Sequence, residues 1–225
     1  MPALFVTATG TEIGKTFVTA GLIRALQARG RAVDALKPVV TGFDMATAQA
    51  SDPGILLTAL GRAVTEAEIA RLSLWRFAAP LSPDLAAGRE GRALDFDALV
   101  RLTRYTMDTA LDVLLVEGVG GIMVPLDQRH TVLDWMAALQ MPVLLVAGSY
   151  LGTISHTLSA VDVLQRRDLD IAAIVVSESA GSTVPLDDTV ATIARFVPAL
   201  AVYGLPRLPS GSAADPVFEQ LADLL

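Results

Sequence analysis

Six residues near the N-terminus, Thr11, Glu12, Ile13, Gly14, Lys15 and Thr16, separate an apolar run over 4–7 from an apolar stretch of helical character that begins at Phe17. A Gly-Lys-Thr turn in that position suits a polyphosphate. Its backbone N–H groups converge, the following helix contributes about half a positive charge at its N-terminus, and the lysine adds a full one. The Thr16 hydroxyl can then ligate Mg²⁺. The usual G-x-x-x-x-G-K-[ST] spacing is imperfect here, because position 9 is Thr and the nearby glycine is Gly10. A bare Gly-Lys-Thr also occurs in ordinary surface turns; the flanking strand and helix favour the phosphate loop.

Three further constellations fall at the ends of apolar runs. Lys37, followed by Pro38 and, four residues on, the Thr41 hydroxyl, ends the second run. Lys15 and Lys37 are the only lysines, all other cationic residues being arginines. A lysine is a compact point charge suited to single phosphate or carboxylate oxygens, whereas arginine is a planar fork. The third run ends in Glu117, Gly118, Val119, Gly120 and Gly121. In a phosphate-loop protein an acidic residue there commonly serves Mg²⁺, which takes one or two carboxylates together with substrate phosphates. Asp52, placed in the loop after Thr41, is a weaker metal candidate, since a lone loop Asp is usually a cap or turn residue. The fourth is the helix start at Gly152, Thr153 and Ser155, whose N–H groups and hydroxyls could take a carboxylate or could simply cap a helix. His130 and His156 have no companion at metal-ligand spacing and read as structural.

These residues need a scaffold that gathers strand ends. Runs of strand character occur over 4–7, 32–38, 112–116, 142–147, 171–176 and 200–204. Most lack polar alternation, as parallel strands buried on both faces do. Helical stretches over 16–29, 96–110, 131–139, 152–167 and 187–196 lie between them. The alternation predicts a single α/β domain over 1–225: three layers, with a mostly parallel central sheet and ligands beyond the carboxyl ends of its strands. Residues 42–95 are less periodic and read as loops and short helices over that edge.

The 225 residues are 52% hydrophobic and 18% charged, a core-rich composition. A net charge of −7 argues against a nucleic-acid surface, which needs cationic contacts to phosphate. With no cysteine there is neither disulfide nor thiolate nucleophile, which suits a reducing cytoplasm. No basic stretch precedes the first apolar run, and that run is too short for a signal peptide or a membrane span, so a soluble cytoplasmic protein is expected.

In order and spacing, the segments F-V-T-A-T-G-T-E-I-G-K-T, L-K-P-V-V-T-G, S-P-D, V-E-G-V-G-G and L-G-T-I-S-H resemble the dethiobiotin synthetase family, from Leu4 to about Pro206. The resemblance implies the P-loop NTPase fold and a cyclo-ligase of biotin synthesis. Such an enzyme carboxylates 7,8-diaminopelargonate with CO₂ and closes the cyclic urea using ATP and Mg²⁺. It implies nucleotide contacts at Glu12, Ile13, Gly14, Lys15, Thr16, Phe17, Glu117, Gly118, Gly120, Ser177 and Pro206. Thr16, Asp52 and Glu117 would surround the metal. Lys15, Lys37, Thr11 and Thr41 would act in catalysis, with Thr11, Lys37 and Thr41 against substrate. Gly152, Thr153 and Ser155 would receive the substrate carboxylate across a homodimer.

Departures from the family pattern are local. Ala8 stands where the first loop glycine falls, Gly10 replaces a usual acidic residue, and Ser177 replaces the Asn that reads the adenine edge. Three rivals differ in kind. A partitioning or metal-insertion ATPase would carry a second lysine near Thr9 or Gly10. A cobyrinate-type amidoligase would need a glutamine-hydrolysing domain with a Cys nucleophile. A nucleotide-binding scaffold would show no substrate-dependent turnover.

Overall fold

The computed structural model describes residues 2–208 and 215–225. Its strands are β1 (Ala3–Ala8), β2 (Val33–Leu36), β3 (Val39–Thr41), β4 (Trp75–Phe77), β5 (Val113–Glu117), β6 (Val143–Gly148), β7 (Ile171–Ser177) and β8 (Val202–Leu205). The helices are α1 (Lys15–Ala28), α2 (Asp52–Ala59), α3 (Glu66–Leu72), α4 (Pro83–Arg89), α5 (Phe96–Thr109), α6 (Val132–Leu139), α7 (Thr153–Gln165), α8 (Leu186–Phe196) and α9 (Pro216–Ala222), with a 3₁₀ turn at Met45–Ala50.

Six strands form one sheet in the order β2-β5-β1-β6-β7-β8, every neighbour pair parallel. The absence of polar alternation has its expected cause: β5 and β6 are buried at every position. Alternate residues feed opposite cores. Phe5, Leu114 and Leu145 face α5, α6, α7 and α8, whereas Leu4, Val6, Leu115 and Leu144 face α1, α2, α3 and α9. Parallel strands with helices on both faces put all the strand carboxyl ends on one edge. The registers Val6↔Glu117, Ala8↔Val146 and Gly148↔Ser177 bring the ends of β1, β5, β6 and β7 level there.

Two sequence expectations need correction. The predicted strand over 32–38 is interrupted: β2 ends at Leu36, and β3 pairs in parallel with β4 in a separate two-stranded sheet. Pro38 has no N–H to give a ladder. Around it, Lys37 N–H donates to the Leu72 carbonyl at 3.1 Å, and the Ser73 hydroxyl donates to the Lys37 carbonyl at 2.6 Å. Asp52, expected in a loop, is the first residue of α2, with Ser51 as its N-cap and Pro53 next. The short α9, unforeseen, docks on α1 where Gly21 faces the Phe218 ring. A Cβ at position 21 would lie 2.2 Å from that ring, so only glycine allows the approach.

Candidate active site

The segment between β1 and α1 is shaped by two left-handed residues, Glu12 (φ 59°) and Gly14 (φ 94°). Gly14 meets this requirement without steric cost. A side chain there would also place its Cβ 2.7 Å from the Ser177 hydroxyl, so the loop lies directly against the end of β7. Among the described residues no hydrogen bond takes the N–H groups of Thr11 to Gly14. A row of free amides leading into a helix N-terminus is an anion cradle.

Four charges and a hydroxyl converge behind that loop. Thr16, at the start of α1, donates its hydroxyl proton to Glu117 Oε1 at 2.8 Å. Lys37, beyond β2, donates to the same oxygen at 2.8 Å and to the Gly118 carbonyl at 2.7 Å. Its ammonium also lies 3.2 Å from Asp52 Oδ2. Lys15 stands 3.7 Å from Glu117 Oε1. Both ammonium groups therefore face one carboxylate rather than separate surfaces. Burial and the nearby Lys37 charge lower the Lys15 pKa to about 8. Burial also works against the charge on Lys37, but Glu117 and Asp52 outweigh it and hold that pKa above the usual lysine value. Asp52 is opposed by burial and is nevertheless held low by Lys37 and Lys15. Two ammonium groups thus face two carboxylates and compensate one another, as burial demands.

The loop is a wall between two cavities. The first, of about 600 Å³, is lined by Thr11, Lys15, Thr16, Lys37, Thr41, Asp52 and Gly120 together with the apolar Val40, Leu81, Val119 and Val124. The second, of about 720 Å³, takes Ile13, Ser177 and Pro206, with Thr11, Glu12, Gly14 and Phe17 bordering both. Sequence reasoning missed Tyr150, Glu178, Ser179 and Arg207 in its wall. These residues immediately follow the ends of β6, β7 and β8, so the strand-end rule that selected Glu117 would have found them.

Other candidates stand elsewhere. Gly118 is buried and lines neither cavity; its N–H donates to the Val6 carbonyl and its own carbonyl receives Lys37. Gly152 and Ser155 are exposed at the start of α7, outside both cavities. Thr153 is buried, with its hydroxyl donating to the Gly148 carbonyl at 2.7 Å and its N–H to the Tyr150 carbonyl at 3.0 Å. Its donors fasten the turn. His130 lies 2.8 Å through Nδ1 from Asp127 and stacks on Phe96, and His156 Nδ1 meets the Tyr150 hydroxyl at 2.8 Å.

The donor set fits a divalent cation shared with phosphate. Glu117 Oε2 is buried without a partner among the described residues, and Asp52 and the Thr16 hydroxyl lie around the same ammonium–carboxylate cluster. No group of three or more acidic, His or Cys side chains able to hold a metal occurs among the described residues. Two carboxylates and a hydroxyl leave coordination positions to be completed by phosphate oxygens and water, the habit of Mg²⁺.

Comparison with known proteins agrees with this architecture. A family profile described as an AAA domain matches residues 2–214. The ATP-dependent dethiobiotin synthetase BioD of Phenylobacterium zucineum is 45% identical over 224 residues, covering 99% of this chain and 96% of the relative. The protein of the same name from Acidiphilium cryptum is 49% identical over 198 residues, 88% of this chain and 89% of the relative. Among solved structures, a ParA family ATPase from Chlorobium tepidum superposes with a TM-score of 0.59 at 11% identity, covering 100% of this chain and 99% of that one. The cell division ATPase MinD of Pyrococcus furiosus gives 0.56 at 18% identity, over 100% and 98%. At those identities the structural likeness describes the fold, a phosphate-loop NTPase sheet, and no more. Near-full-length identity to the curated relatives goes further: this chain belongs to the ATP-dependent dethiobiotin synthetase family.

Proposed function

We propose that the protein synthesises dethiobiotin, carboxylating 7,8-diaminopelargonate with CO₂ and closing the ureido ring at the expense of ATP. The observation that carries the reading at the level of chemistry is the convergence of Lys15 and Lys37 on Glu117, beside the phosphate loop and a part-apolar cavity. One substrate amine adds to CO₂ and loses a proton, giving a carbamate. A carbamate oxygen attacks the γ-phosphorus and ADP leaves. The second amine then attacks the carbonyl of the mixed anhydride, loses its proton and expels phosphate.

Two anions must meet in the phosphoryl-transfer step. Lys15 and the loop amides hold the phosphates; Lys37 and Thr41 lie toward the carbamate; Thr11 borders the diamine. Val40, Leu81, Val119 and Val124 offer the apolar surface that an alkyl chain needs. Thr16, Asp52 and Glu117 would hold Mg²⁺, which when bound neutralises charge on the transferring phosphoryl group. Positioning and fixed charge supply most of the acceleration. The exposed α7 start, with Leu151 84% exposed beside Gly152, is where we place a second copy of the chain and the substrate carboxylate. The reading places the work in the cytoplasm, and no helix among the described residues is long and apolar enough to cross a membrane.

Incubation with diaminopelargonate, bicarbonate and MgATP should give the dethiobiotin mass only when all are present. ATP hydrolysis indifferent to diamine and bicarbonate would instead indicate a partitioning-type switch. That alternative lacks support at Thr9 and Gly10, where no lysine stands.

Two further outcomes are expected. Glu117→Gln should raise the Mg²⁺ concentration for half-maximal activity by at least about tenfold, since even outer-shell partners of a metal change affinity by that much; an unaltered titration would remove Glu117 from the metal site. Ser177, whose hydroxyl lies against Gly14, lacks an amide to pair with a base edge. GTP or CTP should therefore support a measurable fraction of the ATP rate, and strict ATP dependence would pass base reading to other groups of the second cavity.

A further inference from the structure

The ammonium of Lys37 is enclosed by the charged cluster. Lys37 is 1% exposed, and its ammonium faces Gly118 O at 2.7 Å, Glu117 Oε1 at 2.8 Å and Asp52 Oδ2 at 3.2 Å. An ammonium has three protons. Two are given to Glu117 Oε1 and the Gly118 carbonyl, and the ammonium faces Asp52 as an ion pair. Two of the three acceptors are the carboxylates that the proposed reaction assigns to the divalent cation. Glu117 Oε1 is further engaged by the Thr16 hydroxyl, the third candidate ligand. Glu117 Oε2 has no partner among the described residues, so a cation could take that oxygen, but it would then share both carboxylates with this ammonium at close range.

We infer that Lys37 is an internal counter-ion that competes with the divalent cation for Glu117 and Asp52, and that arrival of the metal with a nucleoside triphosphate releases its ammonium toward the first cavity. The inference rests on the metal-ligand part of the proposed function. Its charge logic is simple. Lys15 and Lys37 balance Asp52 and Glu117, so a free divalent cation entering this buried cluster would add two uncompensated charges. A triphosphate brings the compensating negative charge with it. The lysine expected to act on the carbamate would then be freed only when the phosphoryl donor is in place, which guards against reaction without it.

The test uses Mn²⁺ alone, followed by electron paramagnetic resonance and calorimetry on nucleotide-free protein. Lys37→Met, checked for native circular dichroism, should bind Mn²⁺ at least about tenfold more tightly than the unaltered protein, because a unit charge close to the cation is removed. Adding Glu117→Gln to that variant should abolish the gain. Equal or weaker binding by folded Lys37→Met would overturn the inference. A second measurement needs no variant. With only two lysines, ¹⁵N-lysine labelling gives two side-chain ammonium signals. The Lys37 signal should shift on saturation with a non-hydrolysable MgATP analogue and stay in place with Mg²⁺ alone; an unmoved signal with the analogue would overturn the inference. Failure of the dethiobiotin assay alongside tighter Mn²⁺ binding would remove the proposed reaction while leaving the competition standing.

Discussion

Lys37→Met is expected to lower dethiobiotin turnover by about 10²–10³-fold, the usual consequence of removing one donor aimed at developing negative charge in a water-poor site. Methionine keeps most of the lysine stem, so the packing around an almost fully buried side chain is largely preserved. What disappears is the ammonium that lies 2.8 Å from Glu117 and 3.2 Å from Asp52. Loss of one partner of a buried pair also costs stability, typically about 3–5 kcal/mol, because the remaining charge is uncompensated. Lys15, 3.7 Å from the same oxygen, reduces that cost. Melting temperature and nucleotide affinity must therefore be measured beside the rate. The expected pattern is a fall in kcat with a dissociation constant for metal-free ATP changed by no more than about threefold, the signature of an interaction made in the transition state. Lys15→Met, by contrast, should weaken nucleotide binding as well as turnover. Lys37→Arg should not rescue: the guanidinium is a larger planar fork and the site is shaped for a point charge. Turnover within a few-fold of the unaltered protein would exclude Lys37 from the reaction.

The parts of this fold that were legible in the sequence are those decided locally. Val113 to Val116 and Val143 to Ala147 are unbroken apolar runs because both faces of their strands are covered, and no other element could bury them so completely. Lys37 and Glu117 could be selected because polar residues at the ends of such runs must lie on the ligand edge of a parallel sheet. The break at Pro38 was less accessible: proline forbids a ladder donor, but its outcome, pairing of β3 with β4, depends on a partner that is distant in sequence. Asp52 was misplaced for a different reason. Ser51 and Pro53 are a cap and an N-terminal helix residue, a local signal that was present but attached to a helix too short to show periodicity. Tyr150, Glu178 and Arg207 each follow a strand end and were open to the same rule; only their sharing of one wall needed the three strands to be aligned. Thr153 shows the limit of residue type as a guide, since a hydroxyl at a helix start can point outward to a ligand or, as here, inward to the Gly148 carbonyl.

Trp135→Ala is expected to destabilise the protein by about 3–5 kcal/mol, the range for deleting a large buried aromatic side chain. Trp135 is fully buried on α6 and meets the Phe5 ring edge-on, with centroids 4.7 Å apart and planes at 82°. Its Nε1–H donates to the Thr103 hydroxyl at 3.3 Å, joining α6 to α5. The cavity left behind would open beneath the site. Phe5 lies in β1, which leads into the phosphate loop, and a Cβ at Gly118 would come within 3.0 Å of the Phe5 ring. The same helix fastens the glycine-rich segment after Glu117, because Val132 N–H donates to the Val124 carbonyl at 3.0 Å and Leu133 N–H to the Ile122 carbonyl at 2.8 Å. Trp135→Phe keeps an aromatic face against Phe5 and loses a weak hydrogen bond, and Thr103 retains its own bond to the Leu99 carbonyl at 2.8 Å. That variant should cost no more than about half as much. Urea unfolding followed by circular dichroism checks both, with Trp75, the other tryptophan, as a fluorescence reporter. An alanine variant within about 1 kcal/mol of the unaltered protein would mean that the neighbouring side chains collapse into the space, and that β1 and α6 are held in place by contacts other than the Phe5–Trp135 pair.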